Sequence, residues 1–434
     1  MWGVVKYLGV QHEEISDFKG EDDLMIQDLG VFIVAVIFVA INGLTMLAWA
    51  AAQGYKMKPT AFAFIVGAIG NLLTGSITPI SGQSSILTVS HHVKDVNARI
   101  AALLLAVVVM VPLGLTGAVT RIAAYAGPAV VNGMMAGVGL MVAGISIDML
   151  KQAPRTGVIS FIAALCTFII FVGNPHQLVY VIAVSVTLAT LDFALLQKDP
   201  ETGKKGRRID IAKMAADSGY TGDLSQNDNP KFWTKEYWAD FKIMKPKFGF
   251  TAIYFALAFI SLNIGTNIAF GNITAGMAGT TDGVPNHVQN MDHLTVINSL
   301  ADIPAVIFGG APVGAIISAT AASPWPVLAG AVMMLLCALL LLLGLMTKAV
   351  KYIPVQAIAG FLFIIGFFST FRPNLVNAFN TALVADGVTA TLHASNTTQA
   401  ATALALTALT KNPFVGLIGG VLIRYIGTWF GLPS

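Results

Sequence analysis

Long apolar runs separated by short polar stretches organise this sequence. Runs of about 20 residues, the length that crosses a bilayer, recur from Val31 to the C-terminus. Two segments deep inside the apolar pattern, 76–90 and 308–322, are instead rich in Gly, Pro, Ser and Thr. Lipid cannot satisfy the N–H and C=O groups of a broken helix, so such segments line a protein cavity. The pattern predicts an all-α polytopic membrane protein in which two spans are broken.

The apolar runs predict about 14 transmembrane spans, of which the third and the tenth are the broken ones. The continuous spans before the long polar stretch are 31–52, a second ending at Leu73, 98–119, 126–147, 158–172 and 178–196, and those after it are 248–270, 294–307, 327–345, 354–369, 399–409 and 413–430. We therefore divide the chain into a polar N-terminal segment (1–28), a first half (29–196), a hydrophilic connector (197–247) and a second half (248–434).

The two halves resemble each other. Leu115–Tyr125 followed by Pro128 has a counterpart in Leu342–Tyr352 followed by Pro354, and each pair introduces a Gly-containing helix. With seven spans in each half, the second copy lies upside down relative to the first. Inverted repeats of this kind place a substrate site at the bilayer midplane between the copies, where broken spans occupy matching positions. The sequence therefore predicts a membrane carrier of repeat architecture.

Composition narrows the class further. Hydrophobic residues make up 56% of the chain and charged residues 11%, and the net charge of +3 is too small to indicate a nucleic-acid partner. The sequence contains no nucleophile–base pair, metal-ligand cluster or phosphate-binding loop, so we expect no enzyme, metal site or cofactor. Cys166 and Cys337, the two cysteines, lie in apolar spans and are expected to be buried free thiols.

The candidate substrate site lies where two half-helices, beginning near Ser81 and Val313, would aim their N-termini at a cavity. Such ends suit an anion or a carbonyl-rich heterocycle. The candidate substrate-binding residues are neutral and polar, namely Gln83, Ser84, Ser85, Asn263, Thr266, Asn267, Ser318, Thr320 and Asn42. Asn263 and Asn267 share a helix face. The alternative is that these groups only hold helices together.

Asp302 is the candidate for a coupling ion, because it lies in a span with no Lys or Arg nearby. It could bind a proton or sodium, or it could be an Asp near a helix end that is hydrogen-bonded to a neighbour. Asp148 and Asp192 are expected at the membrane interface, near Lys151 and Lys198. The adjacent pair His91 and His92 is also expected at the interface, with a proton-relay role as the alternative.

Several motifs together resemble those of the xanthine/uracil permease (nucleobase–ascorbate transporter) family. They are Ile69-Gly-Asn with Thr78-Pro79 and Gly82-Gln-Ser-Ser85, then Gly127-Pro-Ala with Gly139-Leu140, Leu262-Asn-Ile-Gly265, Phe308-Gly309 with Pro312, and Ile353-Pro354 with Gly360. The resemblance covers nearly the whole chain outside the termini and the connector. It implies a seven-plus-seven inverted fold that is split into a core domain (spans 1–4 and 8–11) and a gate domain (spans 5–7 and 12–14).

The sulfate permease family, which shares that fold, is also similar, through Ile80-Ser-Gly82 with Thr88-Val89 and through Phe308-Gly-Gly-Ala-Pro312 with Gly314-Ala-Ile316. The sequence lacks some of the site residues that are usual in each of these two families. Leu262 and Ser318 stand where nucleobase permeases usually carry carboxylates, and Ile86 and Ile316 stand where aromatic rings would stack on a base. Ala319 stands in place of the basic residue often found in sulfate permeases.

The sequence therefore predicts a permease of the cell membrane that transports nucleobases (purine, xanthine or uracil type) by alternating access, with a proton or sodium as possible partner and a homodimer as a possible assembly. A small-anion transporter of the sulfate or carboxylate type is the alternative within transport. A channel-like or regulatory membrane protein that has lost coupling is the alternative from another class.

Two indicators of the membrane orientation disagree. Short loops after odd-numbered spans hold most of the lysines and arginines, for example Lys56, Lys58, Lys151 and Lys411. The positive-inside rule then places these loops and the connector in the cytoplasm, with both termini outside. The family resemblance implies the opposite orientation.

Overall fold

A computed structural model describes residues 12–82, 95–198, 203, 205–209, 234–239, 241–281, 284–345, 348, 351–380 and 390–430. The first part of the chain forms α1 (His12–Ala52), α2 (Met57–Thr74), β1 (Ile80–Ser81), α3 (Val96–Leu115), α4 (Ala118–Gln152), α5 (Pro154–Ile170) and α6 (Gln177–Leu191), which continues as a π-helical turn (Asp192–Leu196). The connector contributes the short helix α7 (Lys235–Ala239).

The second part forms α8 (Phe250–Met277), the hairpin of β2 (Thr280–Thr281) and β3 (Val284–Pro285), α9 (Met291–Ile307), β4 (Gly314–Ala315), a 3-10 turn (Ala319–Ala322) and α10 (Pro326–Leu342). It continues with a 3-10 turn (Val355–Ile358), α11 (Ala359–Phe363), a π-helical segment (Ile364–Phe371), α12 (Arg372–Asn380), α13 (Ala390–Thr410) and α14 (Pro413–Trp429). Strands are confined to these two-residue pairs within the described residues, so the all-α prediction is confirmed.

The helices pack as two groups. One, the core bundle, contains α1–α3 and α8–α10 with β1 and β4; the other, the gate bundle, contains α4–α6 and α11–α14. Within the core bundle α2 packs on α9 and α10, and α3 packs on α8 and α9; within the gate bundle α4 packs on α13 and on the π-helical segment. The grouping rests on these helix contacts alone, and the division into core and gate domains that the family resemblance implies stays a prediction.

The two broken segments meet inside the core bundle. Ile80 pairs with Ala315 and Ser81 with Gly314 in an antiparallel register, and the N–H of Ile316 donates to the carbonyl of Pro79 at 3.1 Å. This contact confirms, for the described residues 76–82 of the first segment, the prediction that the two broken segments approach each other. Gln83, Ser84, Ser85, His91 and His92 lie outside the described residues.

Several predicted span ends differ from the observed helices for identifiable reasons. The predicted fifth span begins at Ala126, but α4 begins at Ala118 and continues across a kink at Gly127, whose φ of 80° and ψ of 163° are not helical. The predicted thirteenth span begins at Gln399, whereas α13 begins at Ala390, because its first turns are polar but still helical. The count of about 14 spans in an inverted repeat stays a prediction.

Seven helices of the described part of the chain are long and apolar enough to cross a membrane. Three shorter apolar helices, Pro154–Ile170, Pro326–Leu342 and Pro413–Trp429, accompany them. Large apolar side chains point outward from these helices, among them Leu73, which is 81% exposed, and Phe250, which is 85% exposed. An outer surface of this kind is stable in lipid and unfavourable in water. The chain is an integral membrane protein of the helical type.

The helix ends define two faces of the molecule. On one, the connector face, Met244 of the connector donates its N–H to the carbonyl of Ile307, and Ile209 donates to the carbonyl of Lys351. On the opposite face, the side chain of Gln289 accepts from the N–H of Ile77 at 3.2 Å. The lysines and arginines of loops 53–58, 95–99, 151–155, 348–351 and 410–412 lie on the connector face, so the sequence bias corresponds to a real basic face.

The crossing of α4 with the π-helical segment depends on two glycines that face each other. A Cβ on Gly139 would lie 2.5 Å from the N of Phe371 and 2.6 Å from the O of Gly366, and a Cβ on Gly366 would lie 2.6 Å from the N of Ala143. These neighbours are backbone atoms, which cannot move aside as a flexible side chain would. The close approach of small residues is the usual basis of helix association in membranes.

We expect Gly139→Ala and Gly366→Ala each to lower the free energy of unfolding by about 1–3 kcal/mol, because each overpacks this crossing. Thermal denaturation of the purified protein in detergent measures the effect. Gly144→Ala is the matched control, since a Cβ at Gly144 in the same helix meets nothing within 4 Å. Equal melting temperatures for Gly139→Ala and the control would contradict the prediction.

Candidate transport cavity between the two bundles

A cavity of about 740 Å³ lies between the core and gate bundles. Its core-bundle wall comes from α1, from the crossing at β1 and β4, and from α8; its gate-bundle wall comes from α4, α11 with the segments on either side of it, and the α13–α14 loop. Most of this wall is apolar, with Met46, Met141, Leu262 and Ile316 as examples. A cavity with apolar walls and a few polar groups is typical of a site for a small molecule.

The inner end of the cavity carries an unsatisfied hydroxyl. Ser81 of β1 lines the cavity and is 1% exposed, and its Oγ has no hydrogen-bond partner among the described residues. A Cβ on Gly43 of α1 would lie 2.5 Å from this Oγ, so a larger residue there would displace the hydroxyl from its present position. Because a buried polar group without a partner is unfavourable, the hydroxyl is well placed to bind a ligand in the cavity.

The mouth of the cavity is polar and lies on the connector face. It is formed by Gln152 at the end of α4, Gln356 before α11, and the loop of Thr410, Lys411 and Asn412 between α13 and α14. Lys411 has a φ of 55° and is the one described non-glycine residue with a positive φ. A left-handed conformation is uncommon for a residue with a long side chain, and such strain concentrates at functional sites.

The strained loop is held by its neighbours. The N–H of Asn412 donates to Oγ1 of Thr410 at 3.3 Å, and Oδ1 of Asn412 accepts from the N–H of Phe414 at 3.0 Å, which caps α14. Nδ2 of Asn412 donates to Oγ of Ser261 in α8 at 2.8 Å. The loop that presents Lys411 is therefore tied both to its own helix and to the core bundle.

The charge at the mouth is not balanced. Of the two charged residues that line the cavity, Asp148 lies 3.6 Å from the ammonium of Lys151. Lys411 forms no ion pair with any described residue. The mouth therefore presents one carboxylate and one ammonium, and the exposed Lys151 beside Asp148 makes the charge of these three groups together positive.

The predicted site residues separate into three groups. Asn42 of α1 lines the cavity, as a substrate-binding residue must. Gln83, Ser84 and Ser85 lie outside the described residues. The others, on α8 and around the 3-10 turn, do not contribute to the cavity wall as the described residues form it.

Of the predicted polar residues of α8, Asn267 contacts α9 instead of the cavity, and Oδ1 of Asn263 is buried with no hydrogen-bond partner among the described residues. Nδ2 of Asn267 donates to Oγ1 of Thr295 at 3.0 Å, and Oδ1 of Asn267 accepts from Asn298 at 2.7 Å. Thr266 donates to the carbonyl of Asn263, one turn earlier, at 3.3 Å. In this state of the molecule, the contacts of Asn267 fit the alternative in which polar groups hold helices together.

The polar residues of the second broken segment are satisfied locally. The hydroxyls of Ser318 and Thr320 lie 2.7 Å apart, and Oγ of Ser318 accepts from the N–H of Thr320 at 3.2 Å. The neighbouring side chains of Ile316 and Ile317 form the cavity wall in this region. Leu262 also lines it, so two of the positions at which the sequence departs from the nucleobase permeases face the cavity.

Asp302 is buried in α9, 5% exposed, and its Oδ1 accepts from the N–H of Val313 at 2.9 Å. No Lys or Arg among the described residues forms an ion pair with it. The carboxylate thus fixes the backbone just before β4 and lies outside the cavity wall. The hydrogen bond to Val313 is of the kind expected if Asp302 has only a structural role. The carboxylate is nevertheless buried with no Lys or Arg paired to it among the described residues.

Asp192 at the end of α6 pairs with Arg155 at the start of α5, with Nη2 of the arginine 2.6 Å from Oδ1. The expectation that both cysteines are buried needs correction. Cys166 is exposed on the outer surface of α5, whereas Cys337 is buried as expected. No metal-binding group of His, Cys, Asp or Glu occurs in the described part of the chain.

Sequence reasoning missed most of the cavity mouth. Gln152, Gln356 and Asn412 come from three separate helix ends, and a polar residue at the end of a span is unremarkable by itself. Lys411 carries one local signal, because Lys-Asn-Pro after an apolar run marks a tight turn that precedes a helix. The sequence does not show which turn lies over a cavity.

Comparisons with known proteins add little to this description. The sequence matches no protein-family model and no curated protein. The transmembrane domain of a cyanobacterium bicarbonate transporter, BicA, superposes with a TM-score of 0.47 at 14% identity, covering 90% of this chain and 98% of that one. The overall structure of SLC26A9 superposes with a TM-score of 0.46 at 12% identity, covering 94% of this chain and 66% of that one. These superpositions are too loose to transfer a function to this chain.

The position of the cavity predicts a pattern of chemical labelling. In a background of Cys166→Ser and Cys337→Ala, we expect Gln356→Cys to react with a membrane-impermeant thiol reagent added on the connector face, and not with reagent added on the other face. Ile169→Cys is the control, since Ile169 is 68% exposed on the outside of α5 and away from the cavity. Equal labelling of Gln356→Cys from both faces would contradict a cavity that opens on one face.

Proposed function

We propose that this protein is an alternating-access carrier and that its substrate is a small anion. The observation that carries the proposal is Lys411, a cation without a described ion pair on a strained loop at the mouth of the inter-bundle cavity. A positive mouth attracts anions from solution and raises their local concentration. The neutral donors Asn42 and Ser81 further along the wall, and Gln356 at the mouth, can hydrogen-bond to anion oxygens.

The arrangement of the two bundles supports a carrier. A cavity that lies between two separately packed groups of helices can change the side on which it opens when one group moves against the other. The cavity mouth lies on the basic connector face, which the positive-inside rule places in the cytoplasm. The structure is then in its inward-open state, in a cell membrane with the N-terminal end of α1 outside.

A nucleobase is the second candidate, and Phe270 is the observation that favours it. Its ring lines the cavity, where it offers a surface on which a base could stack, and Asn42 and Gln356 could pair with an amide edge. Against this, the wall is apolar at Leu262 and Ile316, the positions at which the nucleobase permeases carry a carboxylate and an aromatic ring. We therefore rank the anion first.

Asp302 is our candidate for coupling transport to a proton or sodium gradient. A carboxylate buried in an apolar bundle is neutralised by a proton or a bound cation. Neutralisation would weaken the hydrogen bond from the N–H of Val313 and so affect the backbone at the crossing of β1 and β4. The competing role is purely positional, in which the side chain does no more than hold this backbone in place.

Uptake into proteoliposomes tests the substrate class. We expect saturable uptake of radiolabelled sulfate or formate, and weak or no uptake of uracil, xanthine and guanine. Lys411→Gln should raise the KM for the anion by about fivefold, since a unit charge at a partly solvated mouth contributes on the order of 1 kcal/mol, while Lys411→Arg should keep it.

Lys348→Gln is the matched control for Lys411→Gln, because Lys348 is exposed in the loop after α10 and does not line the cavity. Saturable nucleobase uptake that Lys411→Gln leaves unchanged would favour the second candidate. Unsaturable leak of every solute would indicate a channel-like protein and would contradict the carrier.

A pair of substitutions separates the two roles of Asp302. Asp302→Asn keeps an oxygen that can accept from Val313 but removes the charge, whereas Asp302→Ala removes both. If Asp302 couples transport, we expect Asp302→Asn to bind substrate normally and to lose the dependence of uptake on a proton or sodium gradient. If Asp302→Asn responds to the gradient as the unaltered protein does and only Asp302→Ala is impaired, the role is positional.

A further inference from the structure

The end of the connector, from α7 to the start of α8, packs on the core bundle through several contacts. Tyr237 is buried, and its hydroxyl donates to the carbonyl of Leu342 at 2.9 Å. The ring of Phe241 lies 5.4 Å from that of Phe62 and 6.1 Å from that of Phe308. Lys247 donates its N–H to the carbonyl of Asn97 at 3.0 Å. Contacts to α2, α3, α9 and α10 thus fix the described residues of this stretch, 237–239 and 241–247, on the connector face.

The side chains between these anchors point away from the protein and alternate in character. Trp238 is 55% exposed, Ile243 is 67% exposed and Phe248 is 61% exposed. Lys242 and Lys245, which lie between them, are exposed as well. We refer to these five residues as the outer strip. Large apolar and aromatic side chains interleaved with lysines are characteristic of segments at the membrane–water interface.

The outer strip is continuous with a surface that faces lipid. Directly after Phe248, α8 begins at Phe250 and presents Phe250, Ile253, Tyr254 and Leu257 on one side, with exposures of 85%, 54%, 62% and 61%. This spacing is that of a single helix face, and an apolar face of this size is stable only against hydrocarbon. The strip therefore lies at the level where α8 enters the bilayer, which is the level of the headgroups.

The charge of this region is suited to anionic headgroups. Lys247 already pairs with Asp95, at 3.1 Å. Lys242 and Lys245 form no ion pair with any described residue. Lys58, at the start of α2, is buried beneath this region, with its ammonium over the ring of Tyr237 at 4.5 Å, so the charge available to a headgroup comes from Lys242 and Lys245. Lysines close to a membrane surface attract anionic lipids, each contributing on the order of a fivefold factor in affinity.

We propose that the outer strip binds the headgroup of an anionic phospholipid of the membrane in which the protein lies. Lys242 and Lys245 hold the phosphate, and Trp238, Ile243 and Phe248 insert among the upper acyl carbons. The site belongs to the surface of the core bundle and is separate from the transport cavity. It rests on the membrane character of the chain and not on the proposed substrate.

Quenching of tryptophan fluorescence by brominated lipids tests this site directly. The chain has six tryptophans, so the signal of Trp238 is the difference between the unaltered protein and Trp238→Phe. The protein is reconstituted in phosphatidylcholine vesicles that contain either brominated phosphatidylglycerol or brominated phosphatidylcholine at equal mole fraction. We expect phosphatidylglycerol to quench the Trp238 signal with an apparent affinity about fivefold or more above that of phosphatidylcholine.

The double variant Lys242→Gln/Lys245→Gln should reduce this preference to about one, while Lys348→Gln/Lys351→Gln, with the same change of charge on the same face, should keep it. Size-exclusion chromatography confirms that each variant is folded. Equal quenching by the two lipids in the unaltered protein, or a preference that survives in Lys242→Gln/Lys245→Gln, would overturn the proposal. So would a Trp238 signal that neither lipid quenches, since the strip would then lie outside the membrane.

Discussion

A backbone that leaves the helical conformation within an apolar bundle must find partners for its peptide groups, and this requirement organises the protein. The crossing of β1 with β4 provides such partners, because each broken segment supplies the donors and acceptors that the other lacks. Side chains form hydrogen bonds with the remaining peptide groups near the crossing. Asp302 accepts from Val313 on one side of the crossing, and Nδ2 of Asn71 donates to the carbonyl of Thr78 on the other, at 3.0 Å. The polar residues of the core bundle thus serve first to make an interrupted backbone stable.

This priority explains why the cavity is less polar than the segments that form it. Ser318 and Thr320 bind each other, and Ser76 and Thr78 both donate to Oε1 of Gln289. These hydroxyl groups make their hydrogen bonds within the core bundle. Of the serines and threonines described in the two broken segments, Ser81 is the one that lines the cavity, and its hydroxyl has no described partner. A polar composition in a broken span is therefore evidence for the break. Only a few of its hydrogen-bonding side chains are available to a ligand.

The sequence was sufficient for the break and the crossing but not for the cavity. Gly, Pro, Ser and Thr within apolar runs are a local signal, so segments 76–90 and 308–322 were predicted to meet. Periodicity placed Asn263 and Asn267 on one helix face correctly, yet it gives no information about which neighbour that face meets, and Asn267 contacts α9. Lys411 and Gln356 were missed because they reach the cavity from ends of different helices. Such a convergence is a property of tertiary packing.

Hydrogen bonds between the two bundles account for the side on which the cavity opens. On the face opposite the connector, Asp292 of the core bundle accepts from the N–H groups of Val119 and Thr120 at the start of α4, at 3.0 and 3.2 Å, and Nδ1 of His176 lies 2.7 Å from the carbonyl of Ala322. Hydrogen bonds to a charged group are about twice as strong as neutral ones. Near the connector face, the described side-chain contact between the bundles at the cavity mouth is the neutral pair of Asn412 and Ser261, and such pairs contribute about 0.6 kcal/mol between membrane helices. The bundles are therefore held more firmly on the far face, and separation on the connector face is the less costly displacement.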